Sequence, residues 1–363
     1  MSPRAPRLST VSPSPVDWPR VRSVLLIRLR SIGDTVLMTP CLNALKAWRP
    51  DVEIGVVTEP LARQIVEGHP MIDKLFVAGK SSISRLGLLT RLRRERFDVA
   101  FNLHGGTTGM FLAAMSGAKH TIGFRGQPAS WLLTGRAPAP NVILGRERIH
   151  SVEQQLALLQ WAGVPMLERP RLSLAIDPNA AAGVRAKLMS AGVTTASLAS
   201  ARFAIVAPGA AFESKRWSAR GFASVIDHLS SRWKLDSIVV AGPGQEALAK
   251  EVADSSRSNP IVLSNITLAE LTAVIRTFGL VFVGNDSGPM HIAAAVDCPI
   301  LAMFGSSNPD VWHPWTETPY QVLGGERGTG DSNNRGSIER ITVDEVITAV
   351  DEVLQIAVTQ AAS

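Results

Sequence analysis

The chain has only two cysteines, Cys41 and Cys298, far apart and in no C-x-x-C pair. Neither a disulfide framework nor a zinc knuckle is indicated, and a reducing, cytoplasmic setting is expected. No apolar run reaches the roughly 18 residues that a membrane-spanning helix needs. The most apolar long stretch, Gly288 to Gly305, is broken by His291, Asp297 and Pro299. Residues 1–20 carry Arg4, Arg7 and Arg20 among Pro and Ser but lack an apolar core, so they read as a disordered leader outside the fold and not as a secretory signal. The seven histidines are scattered and H-E-x-x-H is missing, so no metal site is expected. G-x-x-x-x-G-K-[ST] is also missing, which excludes a Walker A loop. The basic runs carry no interleaved aromatics, which argues against nucleic acid as a partner.

What is present is the profile of a folded protein: 363 residues, 45% apolar and 19% charged. At roughly 150 residues per domain, that length predicts two domains. Thirty-seven basic against 31 acidic residues give a net charge of +6. This balance favours an anionic partner, for which phosphorylated lipids or sugars are suitable.

Short apolar runs alternate with helix-period segments along the chain. Ser23 to Leu29 reads as a strand, Ser31 to Asp34 as a tight loop and Thr35 to Trp48 as a helix kinked near its start by Pro40. Strands are expected at Glu53 to Val57, Lys74 to Val77 and Val99 to Leu103, with a helix around Leu61 to Glu67. After a Pro- and Gly-containing boundary at Gly163 to Asn179, the pattern restarts. It gives strands at Phe203 to Ala207, Ser237 to Val240, Ile261 to Leu263, Leu280 to Val283 and Ile300 to Met303, with helices at Ala219 to Ser231 and Glu246 to Ala253. These are βαβ units of two parallel-sheet halves with a cleft between them, and ligands of such sheets bind in loops at the carboxyl ends of the strands. The domains expected are 21–175 and 176–342, followed by a helix and tail at 343–363 that packs on either lobe.

Several of those loops carry chemistry. Asp34 follows Gly33 where a strand feeds a helix, so it is either an N-cap or a general base facing the cleft. Ala207-Pro208-Gly209-Ala210 precedes Ser214-Lys215-Arg216-Trp217, and small residues beside a cation suit a pyrophosphate or form a plain solvated loop. Gly242-Pro243-Gly244-Gln245-Glu246-Ala247 fits G-x-G-x-x-A, but the acidic residue a dinucleotide site needs on the next strand is missing from Ile261 to Asn265. In Gly284-Asn285-Asp286-Ser287-Gly288-Pro289-Met290-His291, Ser287 or Gly288 caps a helix beginning at Pro289. Its N-terminus and His291 converge where an anion fits. His104 ends a first-lobe strand. His150 and Glu153 have the spacing of a surface pair. Arg85 to Arg96 is the densest basic run, either a solvated face or a dock for an anionic acceptor or membrane.

Three ordered motifs, V-L-L-I-R-L-R-S-I-G-D-T-V-L-M-T-P, G-A-A-F-E-S-K-R-W and N-D-S-G-P-M-H-I-A-A-A, resemble glycosyltransferase family 9, the lipopolysaccharide heptosyltransferases, from about Val21 to Trp315. The resemblance implies an α/β protein of GT-B fold, two Rossmann-like α/β/α domains facing each other across a cleft. It implies an inverting, metal-independent transfer of heptose from ADP-heptose to a lipopolysaccharide inner-core acceptor, with no cofactor. Asp34 would be the general base. Gly209, Ala210, Lys215, Glu246, Asp286, Ser287, Gly288 and His291 would hold the donor, and Arg30, Arg93 and His104 would meet an anionic glycolipid acceptor, with peripheral contact at the inner membrane. Ser218-Ala219 stands where the family commonly has Pro, which leaves the start of that helix less fixed. Residues 1–20 and Gly324 to Gly336 match no family motif. Other readings are a GT-B enzyme with another nucleotide-sugar donor, a nucleotide-sugar epimerase of the same fold, an NAD oxidoreductase, and a non-catalytic sugar-nucleotide binder.

Overall fold

A computed structural model describes residues 16–199, 201–325 and 337–362. The N-terminal lobe runs β1 (Ser23–Ile27), α1 (Ile32–Val36), α2 (Thr39–Trp48), β2 (Glu53–Thr58), α3 (Pro60–Val66), β3 (Lys74–Val77), α4 (Ser82–Glu95), β4 (Val99–Asn102), α5 (Thr107–Met115), β5 (His120–Phe124), β6 (Gly135–Ala137), α6 (Pro140–Leu144) and α7 (Ser151–Trp161). The C-terminal lobe continues with α8 (Pro178–Ser190), α9 (Thr195–Leu198), β7 (Phe203–Ala207), α10 (Ala219–Trp233), β8 (Ser237–Ala241), α11 (Glu246–Ser255), β9 (Ile261–Ser264), α12 (Leu268–Phe278), β10 (Gly279–Asn285), α13 (Gly288–Ala295), β11 (Ile300–Phe304), α14 (Pro309–Trp312), β12 (Tyr320–Gly324) and α15 (Val343–Ala362).

Each lobe holds a six-stranded sheet, with orders β3-β2-β1-β4-β5-β6 and β12-β11-β10-β7-β8-β9. Every pairing is parallel. Both sheets therefore follow the doubly wound Rossmann order, and the strand order reverses between β1 and β4 in one and between β7 and β10 in the other. Central strands such as β7 and β11 are buried along their whole length, which is why they read as unbroken apolar runs. One apolar cluster runs from Val24 and Leu26 on one face of the first sheet to Ile205 and Phe282 on one face of the second. Two further clusters line the outer faces, one around Phe97 and Met110 and the other around Phe222 and Val239. The helix α15 packs on the second lobe, with Val346, Val350 and Leu354 in its outer cluster.

Four expectations are corrected. Residues 16–20 do not lie outside the fold: Val16 and Trp18 are buried, Trp18 meets Trp48 edge-on at 5.0 Å, and its indole N–H donates to the Ala162 carbonyl at 2.5 Å. Residues 1–15 and 326–336 lie outside the described residues. The helix expected from Thr35 to Trp48 is two helices, with Pro40 in the first turn of α2, where its missing N–H costs nothing. The start of α10 is fixed without proline, because the Ser218 side chain accepts from the Gly221 N–H at 3.1 Å. His150 and Glu153 form no surface pair. His150 is the buried N-cap of α7, and Glu153 accepts from its backbone N–H at 2.9 Å. Cys41 and Cys298 are both buried free thiols.

Asp98 anchors the first strand. Its carboxylate accepts from the backbone N–H groups of Arg22 and Ser23 at 2.8 and 3.1 Å and pairs with Lys119 at 2.7 Å. Burial alone raises this carboxyl, but Lys119 and the two N–H donors outweigh burial and hold it below the ordinary range. Asp98→Ala should therefore cost about 2–4 kcal/mol at neutral pH in urea unfolding, because a charged acceptor is lost and two N–H groups are stranded. A carboxyl with a lowered native pKa stabilises above the unfolded-state range, and that stability fades as pH falls. The gap between Asp98→Ala and the parent should accordingly narrow toward about pH 3.

Candidate active site

The two reversal points carry the motifs. At the first, the chain leaves β1 through Arg28, turns at Arg30 and Ser31, and enters α1. Ser31 is the N-cap, and Asp34 occupies the third helical position, where its carboxylate accepts from the Ser31 N–H at 2.9 Å and the Ser31 hydroxyl at 3.1 Å. Asp34 is therefore not the N-cap expected: it closes the capping box of Ser31 from the third helical position, and one of its oxygens pairs with Arg28. Arg28 is 9% exposed, and its other terminal nitrogen donates to the Leu103 carbonyl, which ties the exit of β1 to the exit of β4. Its Nε is buried without a partner among the described residues.

Burial raises the Asp34 carboxyl, yet the Arg28 charge and the Ser31 donors together hold it below the usual value, so it is ionised at neutral pH. His104, in the loop after β4, is pushed down to about 4 by burial and by the positive Arg28 and Arg30, with Asp34 opposing. It is therefore a neutral imidazole beside an ionised acid. Arg30 is exposed on the turn. Arg93 is elsewhere: its Nε donates to the Met115 carbonyl at the last turn of α5, whereas His104 precedes the first turn of that helix. The structure brings Arg30, Asp34 and His104 together and leaves Arg93 at the other end of the layer.

The second reversal point assembles the other motifs. Lys215 Nζ is 2.7 Å from Asp286 Oδ2, and Asp286 is only 6% exposed. Asn285, fully buried, accepts from the Trp217 N–H at 3.1 Å and donates to the Pro208 carbonyl at 2.8 Å, so it pins the loop after β7 to the end of β10. Gly209 leaves the space in which the Gln245 carboxamide lies, since a Cβ there would meet Gln245 Oε1 at 2.0 Å. Ala210 is buried and accepts from Arg216 Nε. Glu246 accepts from the Gly244 N–H at 3.1 Å and so holds its own loop closed. Ser287 caps α13, whose first residue is Gly288, with Pro289 second and not first as expected.

The two assemblies face each other. A Cβ on Gly33 would lie 2.6 Å from His291 Cδ2, and one on Gly288 would lie 2.8 Å from Ile32 Cγ2. Burial keeps the His291 imidazole below its ordinary pKa, against the pull of Asp286 and Asp34, and its Nδ1 has no partner among the described residues. Elsewhere the lobes join where His150 Nε2 donates to the His313 carbonyl at 2.9 Å and its ring stacks on Trp315 at 4.9 Å. Arg28, Asn285 and Gln245 were not singled out from sequence. The signal for Arg28 is that it interrupts the apolar run Ser23 to Leu29 just past the end of β1.

The model of glycosyltransferase family 9 (heptosyltransferase) matches residues 85–341. Lipopolysaccharide heptosyltransferase 3 of Escherichia coli is 28% identical over 345 residues, 90% of this chain and 97% of that protein. The lipopolysaccharide core heptosyltransferase OpsX of Haemophilus influenzae is 23% identical over 79% of this chain and 80% of its own length. Among solved structures, the family 9 glycosyl transferase from Veillonella parvula superposes with a TM-score of 0.79 at 25% identity, covering 92% of this chain and 97% of that one. Escherichia coli ADP-heptose lps heptosyltransferase II gives a TM-score of 0.74 at 20% identity, covering 94% of this chain and 100% of that one, and shares the fold. With both Rossmann halves of a GT-B fold and a family match over most of its length, the chain belongs to glycosyltransferase family 9 and is a glycosyltransferase.

Proposed function

We propose that the chain is a heptosyltransferase of lipopolysaccharide core assembly. In this reading it moves a heptose from ADP-heptose to an inner-core glycolipid acceptor with inversion, without a metal and without a cofactor. The observation that carries it is Asp34, an ionised carboxylate on the first lobe that faces the N-terminus of α13 on the second. The related proteins named above act in lipopolysaccharide synthesis, and a further fold neighbour, Escherichia coli heptosyltransferase WaaC, was solved with ADP.

The chemistry follows from charge. The acceptor hydroxyl gives its proton to Asp34 as its oxygen forms the bond to C1, and the bond from C1 to the diphosphate oxygen breaks, so that ADP leaves with both electrons. Attack opposite the leaving group inverts C1 and needs no enzyme nucleophile. Negative charge grows on the diphosphate, where Lys215 and the positive end of α13 supply the stabilisation that a metal gives elsewhere. Pairing with Asp286 orients Lys215 and leaves a carboxylate for sugar hydroxyls. Gly209, Ala210, Ser287, Gly288 and His291 line the donor side. Glu246 is assigned to the ribose, and Arg30 and His104 to the acceptor. Arg93 is too far along its layer to join them.

Three outcomes test this reading. ADP should raise the unfolding temperature of the purified protein, and UDP, GDP, CMP and NAD should not, since only a ligand of the folded state stabilises it. A shift with UDP or GDP would overturn the donor, and a shift with NAD alone would overturn the transferase. In turnover assays, Asp34→Asn should lower kcat by roughly 10²-fold or more with donor affinity nearly unchanged. Retained turnover would remove Asp34 as the base. The third outcome concerns pH. A base works ionised, so activity limited by Asp34 persists above its lowered pKa and falls only as pH drops through it. Arg28→Lys should leave that acid limb nearly in place, whereas Arg28→Met removes the lowering charge and should move the limb of kcat/KM to higher pH. An unmoved limb in Arg28→Met would sink the coupling.

A further inference from the structure

We propose that the outer layer of the N-terminal lobe, built from α4, α5 and the turn Ser130–Leu132, is a docking face for an anionic lipid surface. Three observations carry it. Between Lys80 and Arg136 the chain has nine Lys and Arg against two carboxylates, Glu95 and Asp98, a difference of nine minus two that exceeds the +6 of the whole chain. Both carboxylates are already paired, Glu95 with Lys74 and Asp98 with Lys119, so neither offsets an incoming anion. Six of the nine, Lys80, Arg85, Arg91, Arg93, Arg94 and Arg96, lie on α4 or beside its two ends.

The same layer exposes large apolar side chains that no element among the described residues covers. On α4, Leu88 and Leu92 enter the core, while Ile83 is 86% exposed and Leu86 67%. At helical spacing Ile83, Leu86, Thr90 and Arg94 form one outward stripe, apolar at the start of the helix and basic at its end. Trp131, 73% exposed, extends the patch on a turn that packs against α5.

Orientation supplies the third observation. Helices in a doubly wound sheet run against their strands, so the start of α4 lies at the carboxyl ends of the strands, with the turn bearing Trp131 that follows β5. Asp34 and His104 stand at that same edge. Apolar tips at the rim of the cleft with arginines behind them match a bilayer whose acyl region receives Ile83, Leu86 and Trp131 and whose phosphates meet the basic heel. An acceptor anchored by acyl chains then rises directly into the cleft. Two copies meeting through this face would oppose like charges, and a nucleic acid gives the apolar tips nothing to contact.

The inference deepens the proposed function, since it places the glycolipid acceptor in a membrane, but its test needs no turnover. The full chain is sedimented with phosphatidylcholine vesicles containing about 30 mol % phosphatidylglycerol and with vesicles of phosphatidylcholine alone, at low and at high salt. Expected are binding to the anionic vesicles only, release by salt, and roughly tenfold or greater weakening in both Ile83→Glu/Leu86→Glu and Lys80→Glu/Arg94→Glu. The unfolding temperature and the ADP-induced shift of both variants should match the parent, which separates lost docking from lost folding. Equal binding to neutral and anionic vesicles, parent-like binding by both variants, or a dimer abolished by Ile83→Glu/Leu86→Glu without vesicle binding would each overturn the proposal. If the ADP shift fails while vesicle binding behaves as expected, the donor reading falls and the docking face stands.

Discussion

The constraint on which the rest of the site depends is the meeting of α1 and α13 across the lobes through glycines. Gly33 stands where any side chain would strike His291, and Gly288 stands where any side chain would strike Ile32. Without a Cβ at either position, the start of one helix reaches the start of the other, and the charge of Asp34 from the first lobe acts on His291 of the second together with that of Asp286. Two Rossmann halves create a cleft by topology alone. Glycines at 33 and 288 decide how narrow it is.

Charge is then distributed with some symmetry. Each lobe brings one carboxylate and one cation to the cleft, Asp34 with Arg28 and Asp286 with Lys215. A partly buried carboxylate costs desolvation unless it is paired and hydrogen-bonded, and each acid answers that cost differently. Asp34 draws on Arg28 and on the donors of Ser31 within its capping box. Asp286 draws on Lys215, while the neighbouring Asn285 locks the lysine-bearing loop in place. The carboxylate that closes the capping box of α1 is the same one proposed as the base.

Much of this is legible in the sequence, for a physical reason. Parallel strands buried on both faces are continuous apolar runs, so β1, β7, β10 and β11 stand out from their neighbours, and the loops after such strands are where ligands bind. What escapes is what lacks periodicity. Arg28 and Asn285 are single polar residues at strand ends whose roles depend on partners 75 and 68 or 77 positions away. Trp18 sits among prolines and serines, and its place in the fold shows only through distant partners, Trp48 and the Ala162 carbonyl. The density of the arginine run was plain, but density does not say at which end of the lobe Arg93 lies.

Away from the glycine contacts the lobes share one apolar cluster and a second junction built around Trp315. Trp315 is held by His150 on one side, by the Arg169 guanidinium 4.0 Å from its ring centre, and by its own N–H donating to the Pro170 carbonyl at 2.9 Å. Burial and the nearby His313 push His150 down to about 3, so it stays neutral and keeps its Nε2 proton for the His313 carbonyl across the working pH range. A junction that stays neutral holds the lobes by packing and hydrogen bonds, so it does not depend on the ion pairs of the cleft.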